Sequence, residues 1–458
     1  MFTFKEAISN LPVLRFVSDH LPLCSPLGKK ELFESEFITE PEKLELCFNE
    51  LEKVSFWHLS NSEILQRVKT LLASVHDIFG TLTRLKNNDA LDDVELFEIK
   101  KNALLVCEIR QLLSASSFDI FELYDISQVV RILDPEDTKL LHFYIYSLYS
   151  KELLSLRNKS NTAASSEEKE DLLWQISKLE NKIRQNLVQK LSSFASHLEY
   201  NLQYIAKLDL LLAKVALALE WNCCKPEIST QRIAYTGLVH PVVAHRLKTE
   251  NSQFQPVDIE LRLEPCLITG ANMTGKSIFL RAIAFSQWMF QFGFYLPAQK
   301  ATLVPVEKIY FVAGDSDTES TGLSSFVNEI FRIHHILQDV KVKKKLLILV
   351  DEFARTTNPK EGSAFVTAFL EMMHQKPVIC LVTSHYPDLA GKFRRLRVKG
   401  IRWNKLEHIK TNPKELNKYI DYQLEDCNKK TAPEEAVKIA EILAVDNAFI
   451  SLVKKYLQ

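Results

Sequence analysis

From Asp171 to Trp221 apolar residues return at helical spacing: Leu172, Ile176, Leu179, Ile183, Leu187, Leu191, Phe194, Leu198, Leu202 and Ile205 cover 33 residues in nine steps, a mean of 3.67. That step lies close to an eleven-residue repeat and excludes the alternation of a strand. One unbroken helix of this length would reach roughly 75 Å, and a hairpin near "KLSSFASHL" would halve that reach; the pattern alone leaves both open. The polar "RNKSNTAASSEEKE" at 157–170 predicts an exposed turn followed by a helix start. Between Pro135 and Pro226 there is neither Gly nor Pro, so the first 230 or so residues are expected to be helical, with the stripe as a buried packing face.

After about Arg232 the pattern changes. Short apolar runs rich in β-branched residues, "PCLITG", "KLLILVDE" and "PVICLVTSH", each end in Gly, acidic or Ser and His residues and lead into helix-like segments. Strands separated by helices predict a mostly parallel sheet with its ligand site at the strand C-termini. The expected fold class is therefore α + α/β: a helical region at 1–230, an α/β domain at 231–430, and a C-terminal helical pair at 431–458. In that last segment "APEEAVKIAEILAVDNAFISLVKKYL" splits at Asp446 and sets Phe449, Leu452, Val453, Tyr456 and Leu457 on one face.

Composition adds limits. The 458 residues are 46% hydrophobic and 25% charged, ordinary for a chain that buries sizeable cores. Eight scattered Cys without a CxxC pair fit a reducing compartment better than a disulfide framework or a zinc site, and the adjacent Cys223 and Cys224 read as buried small residues. No apolar run is long enough for a membrane span, and "MFTFKEAISN" lacks the features of a signal peptide, so a cytoplasmic location is expected. The formal net charge of −1 supplies no general attraction to nucleic acid. The basic segment "KFRRLRVKGIRWNKLEHIK" at 392–410 reads more readily as a solvated strand and loop than as a phosphate-binding stripe.

Only eleven Gly occur, and nine of them lie at or after Gly237. Two are used in Gly270-Ala-Asn272-Met-Thr-Gly275-Lys276-Ser277, which fits G-x-x-x-x-G-K-S/T between a strand and a helix. Such a loop curls backbone N–H groups around phosphate oxygens and adds the positive end of the helix dipole. Lys276 then reaches the β and γ phosphates, and Ser277 coordinates Mg²⁺. Farther on, "LLILVDEF" ends a strand in Asp351-Glu352, which can deliver one carboxylate to Mg²⁺ and a second to an attacking water. His385, closing the third strand, is placed to sense the γ phosphate.

These residues carry a resemblance. "LITGANMTGKS", "LPAQKATLVPVEKIY", "GDSDTESTGLSSFVNEI", "LLILVDEFARTTNPKEGSA" and "TSHYPDLA" follow one another in the order and spacing of the ATPase domain of the MutS family, an ABC-type P-loop ATPase. Upstream, "YIAKLDLLLAKVALALEW", "GLVHPVV" and "SQFQPVDIEL" are similar to the end of that family's lever helices and the entry to its ATPase domain, and "SPLGKKELFESEFITEPEKLELCFNELEKV" to the opening of its helical core. The resemblance implies ATP and Mg²⁺ as ligands, Lys276 and Ser277 as phosphate and Mg²⁺ groups, Asp351 as a Mg²⁺ group and Glu352 as the water-activating base. It makes Ser324 a group that reaches the γ phosphate in the opposite subunit, so that a homodimer, or a heterodimer with a related subunit, is the working unit. Phe254 matches the aromatic that stacks on adenine, with a loop about two residues shorter after it. Ala271 and Thr274 depart from the family's Pro and Gly. In the family, the C-terminal helical pair helps dimerisation.

The family's mismatch-repair members carry a mismatch-reading domain and a connector before the core, and a β-rich clamp between the lever helices; this chain is expected to have none of the three. Phe4-Lys-Glu6 and Phe48-Asn-Glu50 match the reader's Phe-x-Glu in letters only. Two functions follow from the resemblance. One is an ATPase of DNA metabolism that holds branched or unusual DNA without reading mismatches. The other is an ATPase acting on a protein partner, since "FYIYSLYSKELLSLR" and "YIDYQLED" resemble short MutS-like ATPases that accompany adenosylcobalamin-dependent amino-acid aminomutases as reactivases.

Overall fold

The structure, a computed structural model, describes all residues except 1, 12, 164, 271–274, 314–324, 343–344, 356, 375, 387–388, 404–418, 428–435, 444 and 458. The fold is α + α/β. Among the described residues, helices follow one another from Phe4 to Glu220 with no intervening strand. The apolar stripe lies on two successive helices, Ser166–Ser192 and Ala195–Glu220, and Leu187, Leu191, Leu198, Leu202 and Ile205 sit in the helical core. Ser165 caps the first of them by accepting from the Glu168 N–H, which places the helix start where the Ser-rich turn predicts it. The joint is a kink and not a hairpin. Ser193 (φ −65°, ψ −22°) and Phe194 (φ −96°, ψ −6°) stay in the right-handed helical region, and Phe194 N–H donates to Leu191 O, three residues back, at 2.9 Å.

Among the described residues the α/β part holds ten strands: β1 (Glu227–Ile228), β2 (Arg232–Leu238), β3 (Val257–Arg262), β4 (Pro265–Thr269), β5 (Lys300–Leu303), β6 (Lys308–Ala313), β7 (Leu346–Asp351), β8 (Ile379–Thr383), β9 (Arg394–Ile401) and β10 (Ile420–Asp426). The main sheet runs β10-β9-β4-β8-β7-β6. Within it only β10 is antiparallel to its neighbour, β9. The apolar runs that predict strands are β4, β7 and β8, and β7 and β8 are buried at every position, as a parallel sheet covered on both faces requires. A second sheet, β1-β5-β2-β3, with antiparallel pairing of β2 to β3 and to β5, is a feature the sequence reading does not contain.

The two regions share a core. Phe4 and Phe48, the two Phe-x-Glu phenylalanines, are each 1% exposed. Phe4 packs on Phe292 and Phe294, and Phe48 stacks on Phe290. Both are packing residues, held where no DNA base can meet them. Lys214, on the second stripe helix, donates to Phe292 O (2.7 Å) and Gly293 O (3.2 Å) just beyond the C-terminal end of the helix Lys276–Gln291. The long helix is thereby tied to the far end of the helix that opens at the predicted phosphate loop. Cys223 and Cys224 are half-buried. The basic strand β9 is engaged internally: Arg394 pairs with Asp426, Arg395 donates to Leu389 O, and Arg402, just after the strand, pairs with Asp421. Among the described residues no helix is long and apolar enough to cross a membrane. At the C-terminus, helices Ala436–Ile442 and Asn447–Leu457 flank Asp446, which accepts from Phe449 N–H at 2.9 Å.

His240, 4% exposed and stacked on Phe285, is held neutral, its pKa brought down to about 4 by burial and then by the nearby Arg281. Its folded pKa lies below its unfolded one. The stability it contributes is therefore present above about pH 6.5 and is lost as the pH falls from there through about 4, up to about 3 kcal/mol. His240→Phe keeps a ring and removes the ionisation. Denaturation midpoints at pH 7 and 4.5 should accordingly fall less in His240→Phe than in the parent, and parallel falls would exclude His240 as the source.

Candidate active site

The sheet brings the C-terminal ends of β4, β7 and β8 side by side, with Ile268 opposite Thr383 and Val350 opposite Val382. Beyond β4 the chain reaches Gly275, whose φ of +79° puts it in the left-handed region that a side chain disfavours, and the helix Lys276–Gln291 begins at the next residue. Lys276, 5% exposed, folds back so that Nζ donates to Gly270 O at 2.8 Å. Burial pushes its pKa down, while the nearby Glu352 and Asp351 pull it up. A buried cation beside two carboxylates at the mouth of a helix suits a polyanionic ligand. Ser277 follows, half-buried, in the first turn.

β7 delivers Asp351 and Glu352. Thr383, fully buried at the end of β8, binds both: its hydroxyl donates to Asp351 Oδ1 at 2.7 Å and accepts the Glu352 N–H at 2.9 Å. Glu352 has φ +51°, and Arg355 lies 3.2 Å from its carboxylate. His385 is half-buried; burial lowers its pKa, Glu352 raises it, and Lys276 and Arg355 lower it further. Lys276, Asp351, Glu352 and His385 thus form one electrostatic group. Among the described residues no three His, Cys, Asp or Glu side chains converge as a metal cage. The donor set that remains, the Ser277 hydroxyl and Asp351, suits Mg²⁺ that shares phosphate and water oxygens.

Beside this group opens a cavity of about 410 Å³ whose wall includes Phe254, Leu247, Gly275, Lys276, Phe279 and Tyr422, within the range of small-molecule sites. Phe254 stands at the position that the resemblance assigns to a base. Tyr422, on β10, lies so close over Gly275 that a Cβ there would come within 3.0 Å of its ring. The two walls are fastened together. Gln255 Oε1 accepts from Tyr422 N–H at 3.2 Å, Gln255 Nε2 donates to Asp421 at 2.9 Å, and Gln423 Nε2 donates to Pro256 O at 2.8 Å. Asn272 and Ser324 lie outside the described residues. Sequence reasoning missed Tyr422, Thr383 and Arg355; "YIDYQLED" and "TSHY" contain the first two, but nothing in the strings marks them as site residues.

Residues 266–458 match the family model MutS domain V. The chain is similar to an endonuclease MutS2 of Ruminiclostridium cellulolyticum, 32% identical over 212 residues, or 45% of this chain and 26% of the relative. It is also similar to a DNA mismatch repair protein MutS of Clostridium kluyveri, 31% identical over 271 residues, 56% of this chain and 30% of the relative. For a DNA mismatch repair protein MutS of Thermus aquaticus the figures are 34% over 187 residues, 41% and 22%. The matched stretches thus span between 22% and 30% of the length of these three relatives.

Proposed function

We propose that this chain, a MutS-family protein by its domain V at residues 266–458, binds and hydrolyses ATP with Mg²⁺ at sites completed across a dimer and couples that cycle to DNA metabolism. The observation that carries the reading is the grouping of Lys276, Asp351, Glu352 and His385 around Thr383 at the ends of three parallel strands. In this account Lys276 holds the β and γ phosphates and Ser277 and Asp351 hold Mg²⁺, whose charge neutralises the phosphate oxygens. Glu352 takes the proton of the attacking water, and His385 senses the γ phosphate. Ser324 of one subunit completes the site of the other. The division into a helical region to 230, an ATPase domain to 430 and a dimerisation segment beyond it belongs to the same reading. Supporting the last part, the helix Asn447–Leu457 exposes Phe449, Leu452 and Tyr456 at 58%, 52% and 83%, an apolar stripe suited to a second copy.

Mg²⁺-dependent phosphate release from ATP tests the reading, and its complete absence at high protein concentration would overturn it. Phe254 and Tyr422 are assigned to the base. Phe254→Ala and Tyr422→Ala should each raise KM for ATP about tenfold with kcat little changed, and Tyr422→Phe should be near neutral, because the ring and not the hydroxyl makes the contact. Equal KM in all three would remove the cavity from nucleotide binding.

A second reading, action on a protein partner, is favoured by one observation. Among the described residues no strand interrupts 151–220, and Leu173 and Trp174, 50% and 64% exposed, follow the acidic run Glu167, Glu168, Glu170 and Asp171 on the helix Ser166–Ser192. Such a surface repels phosphate and accepts apolar side chains. Branched DNA that raises ATP turnover at moderate salt supports the first reading, whereas stimulation by a protein alone supports the second.

A further inference from the structure

Glu329 and Tyr386 grip a single residue, Ala354, by its N–H and its C=O, in the turn behind the Asp351-Glu352 pair, and neither has a role in the site as derived so far. Glu329, 8% exposed on the helix Ser325–Val342, accepts the Ala354 N–H on Oε2 at 3.1 Å. From the other side Tyr386, the residue after His385, donates its hydroxyl to Ala354 O at 2.6 Å. Ala354 itself is fully buried with φ +60°, and Glu352, two residues earlier, has φ +51°. Two non-glycine residues in the left-handed region within one turn cost free energy, and such a turn persists where its surroundings over-determine it. Phe353 between them is buried against Phe365 and Phe369, and Phe326, one turn before Glu329, packs on the same Phe365. The helix of Glu329 is therefore joined to the turn by a hydrogen bond and by a shared aromatic contact. Gly362 makes room for the grip, because a Cβ there would stand 2.0 Å from the Tyr386 hydroxyl.

We infer that Glu329, assisted by Tyr386, is a positioning residue that holds the Glu352 carboxylate toward the phosphate site through the backbone of Ala354. The inference rests on the ATPase reading for its effect on turnover, and on the geometry alone for its effect on the turn. A buried carboxylate is costly to keep, and here it accepts a backbone N–H that an ordinary side chain would leave unpaired. The helix that carries it begins at Ser325, directly after Ser324. Any displacement of that helix when a second subunit engages is transmitted to the turn that aims Glu352 in the same subunit, which makes the site's alignment depend on its partner.

Three substitutions in the full-length protein test this: Glu329→Ala, Glu329→Gln and Tyr386→Phe. The alanine removes the acceptor, while glutamine keeps an oxygen at the same reach. Glu329→Ala should lower kcat about tenfold or more with ATP affinity within about twofold of the parent, Tyr386→Phe should do so less, and Glu329→Gln should restore most of the rate. Amide hydrogen exchange at Phe353–Arg355 should quicken in the alanine variant and stay near the parent rate in the glutamine variant. A glutamine variant as slow as the alanine variant, or exchange in the turn unchanged by Glu329→Ala, would overturn the assignment. If the parent protein shows no ATP turnover, the function reading fails while the exchange measurement still decides whether Glu329 holds the turn.

Discussion

Glu352→Gln is expected to lower ATP turnover by about a thousandfold and to leave ATP binding intact, while Lys276→Ala abolishes binding and turnover together. The difference follows from where the two groups stand. Glutamine preserves the size of Glu352 and the backbone bond from its N–H to Thr383, but it cannot take a proton, and loss of a general base typically costs 10² to 10⁴ in rate. Lys276 is the buried cation of the group, and desolvation already opposes its charge. Its removal takes the buried positive charge from beside Asp351 and Glu352, so anion binding fails before chemistry begins. Phosphate release and equilibrium ATP binding, measured side by side on both variants, separate the roles. Equal turnover in the parent and Glu352→Gln would remove Glu352 from the mechanism, and tight ATP binding by Lys276→Ala would do the same for the phosphate loop.

The second large effect is a rescue. Ser324→Ala and Lys276→Ala should each be inactive as homodimers, because each damages both composite sites. In a mixed dimer both lesions fall on one site, and the other combines an intact Lys276 with an intact Ser324. Random exchange of subunits should therefore restore about a quarter of the parent activity, half of the dimers being mixed and half of their sites intact. Mixing that yields heterodimers by mass but no activity would place Ser324 in its own subunit's site.

The parts of this fold that were legible in the sequence are those set by neighbours along the chain. The stripe from Leu172 to Ile205 is buried as its spacing predicts at all its positions but Leu179 and Phe194, which are half-buried against the same core, and the apolar runs before Gly270, Glu352 and His385 are β4, β7 and β8. What escaped depends on contacts between distant segments. Tyr422 lies over Gly275 although 147 residues separate them, and a tyrosine in "YIDYQLED" has the look of any half-buried strand residue. Thr383 reads as an ordinary strand end until β8 is set beside β7. The kink at Ser193 and Phe194 was undecided because both residues keep helical dihedrals, so neither Gly nor Pro marks the joint. The four-stranded sheet escaped because β2 and β3 pair across the helix Pro241–Thr249, and β5 joins them from beyond the phosphate loop.

Both function readings share one claim, that ATP closes two copies of this chain around two nucleotides. The most direct test is the mass and nucleotide content of Glu352→Gln purified with ATP and Mg²⁺, by light scattering and by quantifying the bound nucleotide. The account predicts a dimer carrying one ATP per subunit that reverts toward monomer, or to a looser dimer with open sites, when Mg²⁺ is chelated. A monomer that holds ATP at the same occupancy, with no change of mass on chelation, would contradict it.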